Sequence, residues 1–180
     1  MSQHIVLLRG VNLGSRNRVA MPALRDALAN AGFDDVRTYL QSGNVVLSSR
    51  RSRERVSKEV EKAIAEAFGL EIATVVRTRD DLAAVVRKNP LADVAKDPKR
   101  YQVTFLAKAL PAEKVRELAE LAHPKERFVA GGRELYAWHP NGIGRSKLWS
   151  RLASRDLGVT ATARNWSTVT SLLELADEHR

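Results

Sequence analysis

"VRTYLQSGNVVLSS", residues 36–49, is the stretch on which the fold turns. Val36, Tyr39 and Leu40 lie on one side of a Ser42-Gly43-Asn44 triplet, and Val45, Val46 and Leu47 lie on the other. Strand-forming runs separated by turn-forming residues predict two strands joined by a hairpin. The alternative is one long strand with a bulge at Gly43.

Working outward from it, Ile5–Leu8 reads as a strand and Pro22–Ala31 as a helix. Proline suits a first helical turn, where its missing N–H costs nothing, and Gly32 stops the helix. After the hairpin, Ser52–Phe68 carries Val56, Val60, Ile64 and Phe68 at four-residue spacing, with Ser52 as cap and Gly69 as stop. A strand at residues 71–78 and a short helix at Asp80–Lys88 complete a βαββαβ order plus a helix. The order then repeats: strand 101–107, helix Pro111–Ala122, a hairpin turned at Gly131-Gly132, helix Ser146–Leu157, strand 159–164 and helix Thr168–Asp177. The expectation is an α+β protein of two ferredoxin-like (βαββαβ plus helix) subdomains packed together, each with an antiparallel sheet. Their bounds are 1–90 and 101–180. "NPLADVAKDPKR", residues 89–100, supplies a charged, proline-bearing linker at 91–100. A ligand is expected in the crevice between the two copies.

Composition narrows the function. The 180 residues are 44% hydrophobic and 28% charged, which suits a globular chain able to bury a core. Apolar runs of only a few residues exclude a membrane helix, and Arg9 and Asn12 arrive too early for a signal region. With no cysteine there is no thiolate chemistry. A cytoplasmic protein is expected. The net charge of +9 is spread evenly, with 15 basic and 10 acidic residues in the first 90 and 15 against 11 in the rest. Such a field favours anionic partners, although an arginine-rich genome yields the same excess.

Three stretches are polar beyond what the fold needs. "RGVNLGSRNR", residues 9–18, holds Arg9, Asn12, Arg16, Asn17 and Arg18, with Gly10 and Gly14 freeing backbone N–H groups to face a ligand. Its spacing matches neither known phosphate loop, and a surface loop of solvated arginines is the plain alternative. Gln41, Ser42 and Asn44 begin the strand that neighbours the first strand in a ferredoxin-like order, which brings them within reach of Arg9 and Asn12. "TARNWSTV", residues 162–169, places Arg164 and Asn165 beside Trp166, either as a base-stacking pair or as internal packing, with Thr168 as helix cap. Arg145 and Lys147 flank Ser146 at a helix start, where cations oppose the helix dipole and suggest an anion between them.

Other chemistries find no support. His4, His123, His139 and His179 lack metal-ligand spacing, and neither a nucleophile elbow nor a partnered Ser42 is present. No metal or cofactor is expected.

Together, "LLRGVNLGSRNRVAMPALRDAL", "VRTYLQSGNVVLSS", "ELYAWHPNGIGRSKL" and "TARNWSTV" resemble the bacterial family called domain of unknown function 1697, over nearly the whole chain. Ser15 and Ser167 depart from the family's commoner glycine and asparagine. The resemblance implies two small α/β units and no established activity. The expected function is binding of a phosphate-bearing ligand, most readily nucleic acid, through Arg9, Asn12, Arg16, Gln41, Ser42, Asn44, Lys147, Arg164 and Asn165. The alternatives are an enzyme for a small phosphorylated or carboxylated metabolite, with Ser42 or a bound water acting, and a non-catalytic interaction module. Oligomeric state is left open.

Overall fold

The computed structural model describes residues 1–178, so His179 lies outside the described residues. In chain order the elements are β1 (Ser2–Leu8), α1 (Met21–Asn30), β2 (Asp34–Tyr39), β3 (Asn44–Ser49), α2 (Arg53–Phe68), β4 (Thr74–Thr78) and α3 (Arg79–Lys88). They continue as β5 (Tyr101–Leu106), α4 (Ala112–Glu120), β6 (Arg127–Gly131), β7 (Glu134–Trp138), α5 (Lys147–Leu152), a 3₁₀ turn at Arg155–Leu157, β8 (Ala161–Asn165) and α6 (Trp166–Asp177). Among the described residues the strands form two four-stranded antiparallel sheets, ordered β2-β3-β1-β4 and β6-β7-β5-β8. Both have the ferredoxin-like arrangement, with the first strand of each copy central. Residues 36–49 form the expected hairpin. The bulge lies at the far end of β2, between Asp34 and Arg37, and not at Gly43.

Local sequence accounts for most elements. In α2, Ser52 accepts from the Arg55 N–H at 3.3 Å, while Gly69 closes the helix at φ 65°. Val56, Val60 and Ile64 are wholly buried against β1 and β3 core residues such as Val6, Val45 and Leu47. Each side chain so buried contributes about 1.5–3 kcal/mol, so α2 is held by its apolar face more than by its caps. In the second copy Leu106, Leu118, Leu135, Leu148 and Leu152 form the equivalent core.

Two expectations change. The helix expected at Ser146–Leu157 stops at Leu152, because Ser154 takes the Asp156 N–H at 3.0 Å and starts a separate 3₁₀ turn. The domain bounds also shift. The two compact units are Met1–Ala84 together with the chain from Ser171 on, and Val85–Thr170. The end of α6 joins the first unit, since Arg37 donates to the Leu175 carbonyl and Arg79 holds Asp177 at 2.6 Å. Residues 91–100 belong to the second unit and are not a free linker. Leu91 is buried there, the Pro98 carbonyl accepts from Trp166 N–H at 3.1 Å, and the Arg100 carbonyl accepts from His139 N–H at 3.0 Å.

Candidate functional site

The loop after β1 owes its shape to asparagine and glycine. Gly10, Asn12, Gly14 and Asn17 all have positive φ, between 49° and 66°. Asparagine is among the few side-chain-bearing residues that enter this region at modest cost. The Asn12 N–H bonds the Asn17 carbonyl at 3.0 Å and the Arg16 N–H bonds the Leu13 carbonyl at 3.3 Å, making a miniature hairpin with Gly14 and Ser15 at its tip. Asn17 Nδ2 closes its base by donating to the Gly10 carbonyl at 3.1 Å. Asn12 does more. Its Oδ1 accepts from Val19 N–H at 2.8 Å, and its Nδ2 donates to the Val19 carbonyl at 2.9 Å and the Gln41 carbonyl at 2.6 Å.

The β2–β3 turn is fitted to that loop. Gly43 has φ 79°, its carbonyl accepts from Leu8 N–H at 2.9 Å, and a Cβ there would stand 2.6 Å from Val11 Cγ2 and 2.7 Å from Leu8 Cβ. Only glycine lets β1 and the loop pass so close. Asn44 is fully buried and donates to the Tyr39 carbonyl and to Ser42 Oγ, each at 2.9 Å. Thus Asn12 and Asn44, expected as ligand donors, use their side chains to build the site's frame.

What the frame presents is an open recess of about 640 Å³, lined by Asn12, Arg18, Val19, Ala20, Gln41 and Phe68. It lies wholly in the first unit. Arg16, Arg18, Gln41 and Ser42 are exposed around it or beside it, and Arg9 is half-buried, its backbone N–H on the Ala73 carbonyl at 2.9 Å. Arg18, Val19, Ala20 and Phe68 are the lining residues that the list of candidates drawn from sequence omits. Phe68 reads as the last step of the α2 core face, and its position at the helix end, next to Gly69, is the signal that it also borders the loop.

The candidates of the second unit fare differently. Arg164 is 8% exposed and donates to Thr162 Oγ1 at 2.7 Å and to the Ala163 carbonyl at 2.8 Å; burial pulls its pKa down to about 10, so it stays charged at neutral pH. Asn165 Oδ1 accepts from Thr168 N–H at 2.9 Å, so Asn165 caps α6 and Thr168 does not. Trp166 is half-buried and stacks on Tyr101 with ring centroids 4.7 Å apart, so one face of its ring is covered by internal packing. Lys147 is exposed. A carboxylate of the protein itself, Glu126, meets Ser146 at the start of α5. Glu126 accepts from Ser146 Oγ at 2.7 Å, from His123 N–H at 2.9 Å and pairs with His139 Nδ1, while Ser146 caps α5 through Trp149 N–H. Burial alone would raise the Glu126 pKa, but these bonds hold it below its ordinary value.

Among the described residues no three His, Cys, Asp or Glu gather as a metal site requires, and no helix is long and apolar enough to cross a membrane.

The loop and turn are the same blocks that carry the family likeness, and the comparison with known families decides it. A family model described as a protein of unknown function, DUF1697, matches residues 1–136. The chain belongs to that family. The conserved bacterial protein SP0830 from Streptococcus pneumoniae has a similar solved structure, with a TM-score of 0.79 and 22% identity over 97% of this chain and 98% of that one. At that identity the likeness speaks for the fold. A search among curated proteins returns no match.

Proposed function

We propose that the protein binds a phosphate-bearing ligand, most readily nucleic acid, at the first unit's loop recess. The observation that carries this is a recess lined by exposed Arg18, on a loop that also carries exposed Arg16 and whose backbone is fixed by its own asparagines. A fixed loop loses little entropy when it binds, and arginine forks match phosphate oxygens. Gln41 adds a neutral amide at the rim. The +9 net charge supplies the long-range attraction that speeds encounter with polyanions. Arg164 and Asn165 leave the proposed contact set, because their side chains are engaged within the second unit.

The reading is tested by titrating a labelled single-stranded oligonucleotide at low salt into the protein and into Arg16→Ala/Arg18→Ala. Tight binding by the parent and at least tenfold loss in the variant supports it, since about 1.4 kcal/mol is one decade. Equal binding by both refutes the placement.

One observation favours the metabolite alternative: 640 Å³ falls in the range of small-molecule sites. The lining offers a cation, the Gln41 amide and apolar carbon, a set suited to holding an anion more than to moving its protons. A thermal shift with nucleotides or sugar phosphates, absent with oligonucleotides, would select that reading.

A further inference from the structure

We infer that Leu13 and Leu40 form a paired apolar wedge that contacts unpaired nucleobases while Arg16 and Arg18 hold the adjoining phosphates. This rests on the nucleic-acid reading above and adds to it the form of nucleic acid bound, single-stranded or locally opened.

The starting point is their exposure. Leu13 is 67% and Leu40 58% exposed, well above Leu121 at 36%. Isolated exposed leucines are ordinary, but these two flank one loop-to-turn bond, and Leu40 has a strained backbone. Leu13 follows Asn12 and Leu40 precedes Gln41, the two residues joined by the 2.6 Å bond that ties loop to turn. Leu13 opens the tight tip closed by Arg16. Leu40 has φ 58°, a left-handed conformation that leucine rarely adopts. A strained apolar residue held out in water, on a turn bonded to a loop that carries a second exposed leucine and two exposed arginines, is a costly arrangement for folding alone.

The surroundings choose the partner. Exposed Arg16 and Arg18 are free to attract an anion, and apolar side chains inserted at base steps are a known way for proteins to engage nucleic acid. The recess bordered by Phe68, Val19 and Ala20 gives a displaced ring an apolar floor. An anionic lipid surface satisfies the arginines too. However, a single myristoyl chain already binds membranes only marginally, and two leucines carry less hydrocarbon than that. The surface is too small for a lipid anchor and large enough for one or two bases.

The test compares three probes by fluorescence anisotropy: a short single-stranded DNA, an abasic strand of equal length and charge, and phosphatidylglycerol vesicles. The parent protein is expected to prefer the base-bearing strand over the abasic one by roughly five- to tenfold, the range of a single modest contact. Leu13→Ser/Leu40→Ser should bind both strands alike, with unchanged salt dependence and an unchanged or higher Tm. A preference that survives in the double variant, or is absent from the parent, overturns the wedge and leaves the phosphate reading standing. Leucine-dependent binding to vesicles without base preference overturns it in favour of a lipid surface. Absence of binding to either strand at low salt removes the phosphate reading itself, and the wedge with it.

Discussion

The side-chain amide of Asn12 donates to the backbone carbonyl of Gln41 at 2.6 Å, 29 positions along the chain, and so joins the loop after β1 to the β2–β3 turn. The same side chain exchanges two bonds with Val19, and its backbone sits at φ 54°. The site is therefore a consequence of the fold's own hydrogen bonding. Asn12→Gly keeps the left-handed backbone but deletes three bonds. At about 1 kcal/mol net for each, it should cost roughly 2–3 kcal/mol in urea unfolding. Oligonucleotide affinity should fall further than stability explains, because Arg16 and Arg18 lose their fixed placement. Stability within a few tenths of the parent would show that Asn12 does not staple the loop.

Gly43→Ala should be among the most damaging single-methyl changes in the first unit. The new Cβ would meet Val11 Cγ2 at 2.6 Å and Leu8 Cβ at 2.7 Å, from a backbone with φ 79°. Overpacking costs about 1–3 kcal/mol and the left-handed conformation about 1–2 more. Gly14→Ala, also at positive φ but with open space around its Cβ, isolates the backbone part. A Tm for Gly43→Ala no lower than that of Gly14→Ala would contradict the close approach.

Leu40→Gly should stabilise the protein. Relief of the left-handed leucine returns about 1–2 kcal/mol, while the extra chain entropy of glycine costs about 0.5–1 kcal/mol. The Tm is expected to rise as base preference falls, so stability and binding move in opposite directions at one residue.

Glu126→Gln gives a pH signature. The Glu126 pKa lies below its ordinary 4.5 in the folded protein, so its stabilising effect is present above about pH 4.5 and is lost as pH falls through the lowered value. At pH 7 the variant should be about 3 kcal/mol less stable, the scale for breaking a buried, hydrogen-bonded charge. The gap should narrow in acid, where the parent's carboxylate protonates. A constant gap from pH 7 to pH 3 would exclude Glu126 as the ionised partner of Ser146 and His139.

How much of this the sequence could show depends on range. The α2 face was legible because Val56, Val60 and Ile64 recur at a local spacing, and its cap and stop lie at its own ends. The hairpin at residues 36–49 was legible for the same reason. Roles set by distant partners were not. Arg164 reads either as a ligand contact or as internal packing until β8 carries it into the second unit's interior. Glu126 reads as one more surface acid until Ser146, 20 residues on, bonds it. Asn12 and Asn44 read as ligand donors because amides that frame a site and amides that bind its ligand are the same residue type. The end of α6 could not be assigned to the first unit without Arg37 and Arg79 in place.

The salt dependence of oligonucleotide binding tests the central claim most directly. On single strands each phosphate contact adds about 0.7 to the slope of log K against log salt. Arg16→Ala/Arg18→Ala should lower the parent's slope by about 1.4 if each arginine holds one phosphate. An unchanged slope, or no binding by the parent at low salt, would contradict a phosphate-binding site on this loop.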